Sequence, residues 1–130
     1  MDNIKVPVSP GEVLDKITIL EIKSERMSDP EKVHNVKAEL ALLQATWSEN
    51  IRDTREIQSL HAPLKEINEA LWEIEDDIRD KERAKEFDDR FIELARAVYV
   101  TNDKRSRVKK DLNLHLGSEI IEEKSYQDYE

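Results

Sequence analysis

The apolar positions of this chain recur with helical period, and the stretch Ser9–Met27, SPGEVLDKITILEIKSERM, organises the rest. Val13, Ile17, Leu20 and Met27 recur at helical spacing, Leu14 lies beside them, and Ile19 and Ile22 lie on the other side. A surface helix needs one apolar stripe, so a helix apolar on two sides requires packing partners on both. This predicts a central bundle helix or a helix at a subunit interface. Its start is well marked: Ser9 can cap, Pro10 takes the first helical position, and Glu12 has the spacing to close a capping box. Gly11 is not needed by the cap, which points to close packing or to access to the helix N-terminus. Residues 1–8 are expected to be extended, because Pro7 biases Val6 away from helical angles.

Ser28-Asp29-Pro30-Glu31 reads as a turn and a second start, with Asp29 as N-cap and Pro30 at the first position. Val33, Val36, Leu40, Leu43, Trp47 and Ile51 then run at spacings of three and four, a near-heptad seam. The short connection makes the first two helices an antiparallel hairpin. Ala38 and Leu42 face away from the seam and hint at a smaller second contact. Beyond Ile51 the phase is lost, and Arg52–Ala62 either continues the helix or forms a short separate one. Pro63 marks the next expected boundary. Leu64, Ile67, Leu71, Ile74 and Ile78 then predict a third helix to about Glu82, with Glu66, Glu69, Glu73, Asp76 and Asp80 opposite. Phe87 and Asp88 fall in a link. The fourth helix carries Phe91, Leu94, Ala95, Val98, Leu112 and Leu116 on one broad face and ends near Gly117. Ser118–Glu130 is polar, a tail either docked or frayed. No segment alternates as a strand. The expected fold is all-α: an antiparallel bundle of four main helices, with a short fifth left open, in one domain over residues 1–130. A homodimer is expected, since the first helix has more apolar surface than one neighbour would cover.

Composition narrows the function classes. With no Cys, disulfides, zinc–thiolate sites and cysteine nucleophiles are excluded. With 2 Gly there is no glycine-rich phosphate loop. The net charge of −9 disfavours general nucleic-acid binding, because phosphates would be repelled. No run approaches the length of a membrane span, and the first residues lack the apolar core of a signal peptide, so the expected location is the cytoplasm.

The polar positions hold one anomaly. Asn102 falls within the apolar stripe of the fourth helix, and Arg105, Ser106 and Lys109 continue its face, so the inward side is apolar first and polar after. Buried polar groups must find partners. Asn68, Glu75 and Glu82, on the flank of the third helix, are the expected ones. Two readings stand side by side: a polar pocket inside the bundle, or a closed network that fixes register. Asp103 adjoins this face. Because the start of the first helix borders the same region, Glu12, Asp15 and Lys16 join the binding candidates.

Other clusters carry less. Glu73 and Asp76 are spaced to share a magnesium ion, but their wheel position is the solvent side, and only Glu75 looks inward. Lys104–Lys110 holds five basic residues in seven. It suits a phosphorylated small molecule or an acidic partner, or simple pairing with the acidic third helix. The N-terminus of the first helix is a further anion site. Trp47 and Trp72 read as core or interface residues rather than stacking platforms. His34, His61 and His115 have no metal-pair spacing, and no serine has triad partners.

Several stretches together resemble a known family: SPGEVLDKITILEIKSERM, Asn35-Val36, LWEIEDDIR at Leu71–Arg79, FIELARAVYVTNDKR at Phe91–Arg105, and GSEIIEEKSY at Gly117–Tyr126. The resemblance is to a small bacterial family of unknown function whose members often occur near glycosyltransferase and surface-polysaccharide genes. It implies no particular activity. A weaker similarity is to the all-α nucleoside-triphosphate pyrophosphohydrolases, which hold magnesium with paired carboxylates on facing helices. Glu73 and Asp76 would supply one pair, whereas Asn102-Asp103 stands where the second would be. The first expectation is therefore a non-enzymatic binding or accessory module, without a cofactor, linked to surface-polysaccharide (lipopolysaccharide) biosynthesis. The alternatives are a magnesium-dependent nucleotide or phosphate-ester hydrolase and a structural assembly protein.

Overall fold

The computed structural model describes residues 1–130, and its regular structure is helical throughout: α1 Pro10–Arg26, α2 Pro30–Asn50, α3 Arg55–Ala84 and α4 Asp89–His115. The expected all-α bundle of four main helices is the architecture found. Helices α1 and α2 begin where the cap chemistry places them. The Ser9 hydroxyl accepts from the Glu12 N–H at 3.3 Å, and the Asp29 carboxylate accepts from the Glu31 and Lys32 N–H groups at 3.0 and 3.3 Å. The capping box, however, does not close, because the Glu12 carboxylate turns to Lys109.

Two boundaries differ from expectation. The chain leaves helical geometry at Ile51, and α3 starts at Arg55, where the Thr54 hydroxyl accepts from the Ile57 N–H at 3.3 Å. Pro63 therefore lies inside α3 and does not begin it. An interior proline removes one N–H donor and crowds the carbonyl four residues before it. Its exposed side position keeps that cost away from the core, where Ile57 and Leu64 continue one buried stripe across it. At the far end α3 stops on Lys85 in the left-handed region, φ 57°, and Glu86 N–H donates back to the Lys81 carbonyl at 3.0 Å. Helix α4 ends similarly around Gly117, φ 65°, with Ser118 N–H donating to the Asn113 carbonyl at 2.8 Å.

Helix α1 packs against α2, α3 and α4, whereas α2 packs against α1 alone and α3 pairs with α4. The core gathers Leu14 and Ile17 of α1, Trp47 of α2, Ile57 and Leu64 of α3, and Leu112 of α4. Helix α1 thus has helical neighbours on both sides within the chain. The residues after α4 run back along it, with Glu122 and Glu123 reaching Lys109 and Lys110 and Tyr129 packing edge-on against Tyr99. The tail is docked, by charge pairs and one aromatic contact.

Candidate functional site

Where α1 meets α4 antiparallel, the packing turns polar. Gly11 sits so close to α4 that an added Cβ would lie 2.7 Å from the Lys109 carbonyl oxygen and 2.9 Å from Asn113 Oδ1. This close approach is what the glycine is for. The Gly11 N–H donates to Asn113 Oδ1 at 2.7 Å, so the first free donor of α1 is taken by the protein itself. The anion site expected at the start of α1 is therefore closed.

One turn further along, Asp15 is almost fully buried, its side chain 1% exposed. The Arg105 guanidinium grips it through Nε, at 2.8 Å to Oδ1, and through Nη2 to Oδ2. Asn68 of α3 donates from Nδ2 to Asp15 Oδ1 at 3.0 Å and to Thr18 Oγ1 at 2.9 Å, and the Thr18 hydroxyl donates to the Asp15 carbonyl at 2.7 Å. Burial works to raise the pKa of Asp15, but hydrogen bonds from Arg105 and Asn68 and the positive charges of Arg105 and Lys109 outweigh it, so the carboxyl sits below its ordinary value. Lys109 bridges Glu12 at 2.8 Å and Glu122 of the tail at 3.1 Å. Burial opposes its charge, yet these two carboxylates hold its pKa above the usual lysine value. No buried side-chain nitrogen or oxygen is left without a partner.

The polar face of α4 is thus paired, but not with the partners expected for it. Arg105 and Lys109 meet Asp15 and Glu12 of α1 rather than Glu75 and Glu82 of α3. Wheel position places a residue on a face; it does not say which of two neighbouring helices that face meets. Thr18 and Asn113 were missed as members of the network. Asn113 lies four residues beyond Lys109, so extending the polar stripe by one turn would have found it.

Beside this network opens a cleft of about 460 Å³ between α1, α3 and α4. Its apolar wall is Ile19, Ile22, Leu71 and Trp72, and its polar lining is Asn68, Asn102, Arg105, Glu75, Asp76 and Arg79. Four of the sequence candidates, Asn68, Glu75, Asn102 and Arg105, meet here, together with Asp76 from the alternative metal pair. Trp72, expected in a core or interface, lines an open surface instead. Lys16 is exposed and takes no part in the network or the cleft. Asp103 lies against the tail beside the Tyr129 hydroxyl, outside the cleft. Glu73 reaches Arg26 at 3.4 Å. Nowhere do three or more His, Asp or Glu side chains gather closely enough to hold a metal ion.

A helical bundle with a buried aspartate–arginine knot and an adjoining cleft is the class that fold and site define. The chain belongs to the family of unknown function DUF6165, whose model matches residues 4–129. Neither a curated protein nor a solved structure matches it. No helix of the chain is long and apolar enough to cross a membrane.

Proposed function

We propose that this chain is a non-enzymatic binding module whose small-molecule ligand occupies the cleft between α1, α3 and α4, and that it serves surface-polysaccharide biosynthesis in the cytoplasm. The observation that carries the reading is the contrast in hydrogen bonding across that cleft. The Asp15 carboxylate is held by Arg105 and Asn68, yet the Asn102 side-chain amide at the cleft makes no hydrogen bond within the chain. A half-open, partly apolar concavity with a few convergent polar groups is the usual form of a small-molecule site, and its size lies within the common range of about 300–1,000 Å³.

The non-enzymatic part rests on the state of the buried charges. A general acid or base works best with a pKa near the working pH. Asp15 is shifted downward, and Arg105 and Lys109 are shifted upward, so all three are held charged. These are the properties of a structural clamp. The link to polysaccharide metabolism is carried by the sequence resemblance alone.

A thermal-shift screen with nucleotides, sugar nucleotides, saccharides and divalent metals tests the proposal, with Asn102→Ala and Glu75→Ala as controls. A compound that raises the melting temperature of the native chain, and fails to do so with Asn102→Ala, supports it. No shift with any compound removes the small-molecule reading in favour of a protein partner, and turnover of any compound removes the non-enzymatic one.

A further inference from the structure

The cleft's free hydrogen-bonding atoms follow from what the network has already used. Both donors of the Asn68 amide are engaged, by Asp15 and by Thr18, so its Oδ1 remains as an acceptor. Arg105 grips Asp15 through Nε and Nη2, which leaves Nη1 with its donors free. Since no buried side-chain polar atom lacks a partner, both atoms must be accessible, and the cleft is the opening that both residues line. Asn102 adds a free amide with donors and an acceptor. The α1–α3 side supplies Ile19, Ile22, Leu71 and the ring of Trp72.

The charge balance is equally specific. Asp15 neutralises Arg105, and Glu75 engages Arg79 at 3.3 Å, which leaves Asp76 without a cationic partner at the cleft. With Asp15 included, two arginines face three carboxylates. Such a surface does not attract phosphate or a second carboxylate, which require uncompensated positive charge.

Resting on the reading of this cleft as a ligand site, we infer that its ligand is an uncharged polyhydroxylated ring, a neutral saccharide unit, and not a phosphorylated sugar or nucleotide. Adjacent hydroxyls each donate and accept. They match an acceptor at Asn68 Oδ1, donors at Arg105 Nη1 and the two-way amide of Asn102. The apolar C–H face of a pyranose fits the aromatic and aliphatic wall, where Trp72 offers a large, flat, weakly polar surface. The buried aspartate then acts as a positioning residue: it fixes the guanidinium and cancels its charge, converting an anion-seeking arginine into a neutral-ligand donor.

The test is a titration of the 130-residue chain by proton–nitrogen correlation spectroscopy, observing the Trp72 indole N–H and the Asn102 side-chain amide. The probes are D-glucose, D-galactose, D-mannose and N-acetyl-D-glucosamine, each beside its 1-phosphate. The expected result is saturable shifts confined to the cleft for at least one neutral sugar, with the 1-phosphate of that sugar bound roughly threefold more weakly, the size of one unfavourable exposed charge contact. Asn102→Ala should abolish those shifts while leaving the remaining spectrum folded. A 1-phosphate that binds more tightly than its parent sugar at the same resonances overturns the neutral-ligand inference but keeps the cleft as a site. No cleft shift with any probe also overturns it, and the binding-module reading falls with it only if the broader thermal-shift screen gives nothing as well.

Discussion

The knot around Asp15 and the cleft around Asn102 lie one helical turn apart on α4, and both are polar where a bundle helix is usually apolar. They differ in what their atoms are left to do. In the knot, Arg105 and Asn68 hold one carboxylate, Thr18 ties Asn68 to the Asp15 backbone carbonyl, and Gly11 with Asn113 seals the turn beside it. In the cleft, Asn102 and the outward atoms of Asn68 and Arg105 have no partner in the chain. Inward polarity alone therefore does not mark a binding site. The mark is polar capacity left over after the fold has been satisfied, and here single residues contribute to both regions, Asn68 and Arg105 each with one side spent and one side free.

The largest expected effect lies inside the knot and is asymmetric. Arg105→Met strands a nearly fully buried carboxylate and should lower the unfolding free energy by about 3–5 kcal/mol in urea titrations. Asp15→Asn should cost less, because the Arg105 side chain is 28% exposed and can turn its charge to the water of the cleft. If the two cost the same, the buried carboxylate is not the costly partner. The same pair sets an acid limit. Asp15 has a folded pKa below its unfolded one, so its contribution is fully present above the unfolded value, near 3.8, and is lost as the pH falls through the folded value. In Arg105→Met, burial without the guanidinium raises that pKa, so the variant should gain stability on acidification where the native chain loses it.

Gly11→Ala probes the closeness of α1 and α4 without touching a charge. The new methyl meets the backbone of Lys109, which cannot rotate away, and a loss of about 1–3 kcal/mol is expected. Chemical denaturation at neutral pH measures it, and an unchanged midpoint would mean that the helices part easily at this point. A smaller effect belongs to His61, whose ring nitrogen meets Glu21 Oε1 at 2.9 Å outside both regions. The Glu21 hydrogen bond raises its pKa despite partial burial. Its contribution is therefore fully present below the unfolded value of 6.5 and is lost as pH rises through the higher folded value. His61→Gln should flatten the stability profile just above pH 6.5, and an identical profile would remove the pair from the account. Lys85→Gly should stabilise by about 0.5–1 kcal/mol by relieving a left-handed lysine, read as a higher melting temperature.

Much of this bundle is legible in the chain because the features that specify it are local. Ser9-Pro10 and Asp29-Pro30 start helices wherever they occur, and the Val33–Ile51 seam needs only its own period to be seen. Pro63 misled because a proline's local preference is strong, whereas the stripe Ile57, Leu60, Leu64 that overrides it is a packing property of the whole helix. The candidate site divides in the same way. Asn102, Arg105 and Lys109 stand out as polar residues on an inward face, and Asp15 and Glu12 stand out by position. Their pairing depends on α4 running antiparallel against α1 rather than meeting α3 through that face, which no single helix encodes. Trp72 and Ile19 were assigned to packing because an apolar side chain looks the same in sequence whether it closes a core or walls a cleft.

The central claim is that structure ends and binding capacity begins between Arg105 and Asn102. The unfolding free energy of Asn102→Ala, compared with the native chain in urea, measures this directly. The account predicts a difference within about 0.5 kcal/mol, the usual range for a side chain that carries no fold-stabilising contact. A loss of about 2 kcal/mol or more would show that Asn102 is a member of the knot, and the open site beside it would disappear from the account.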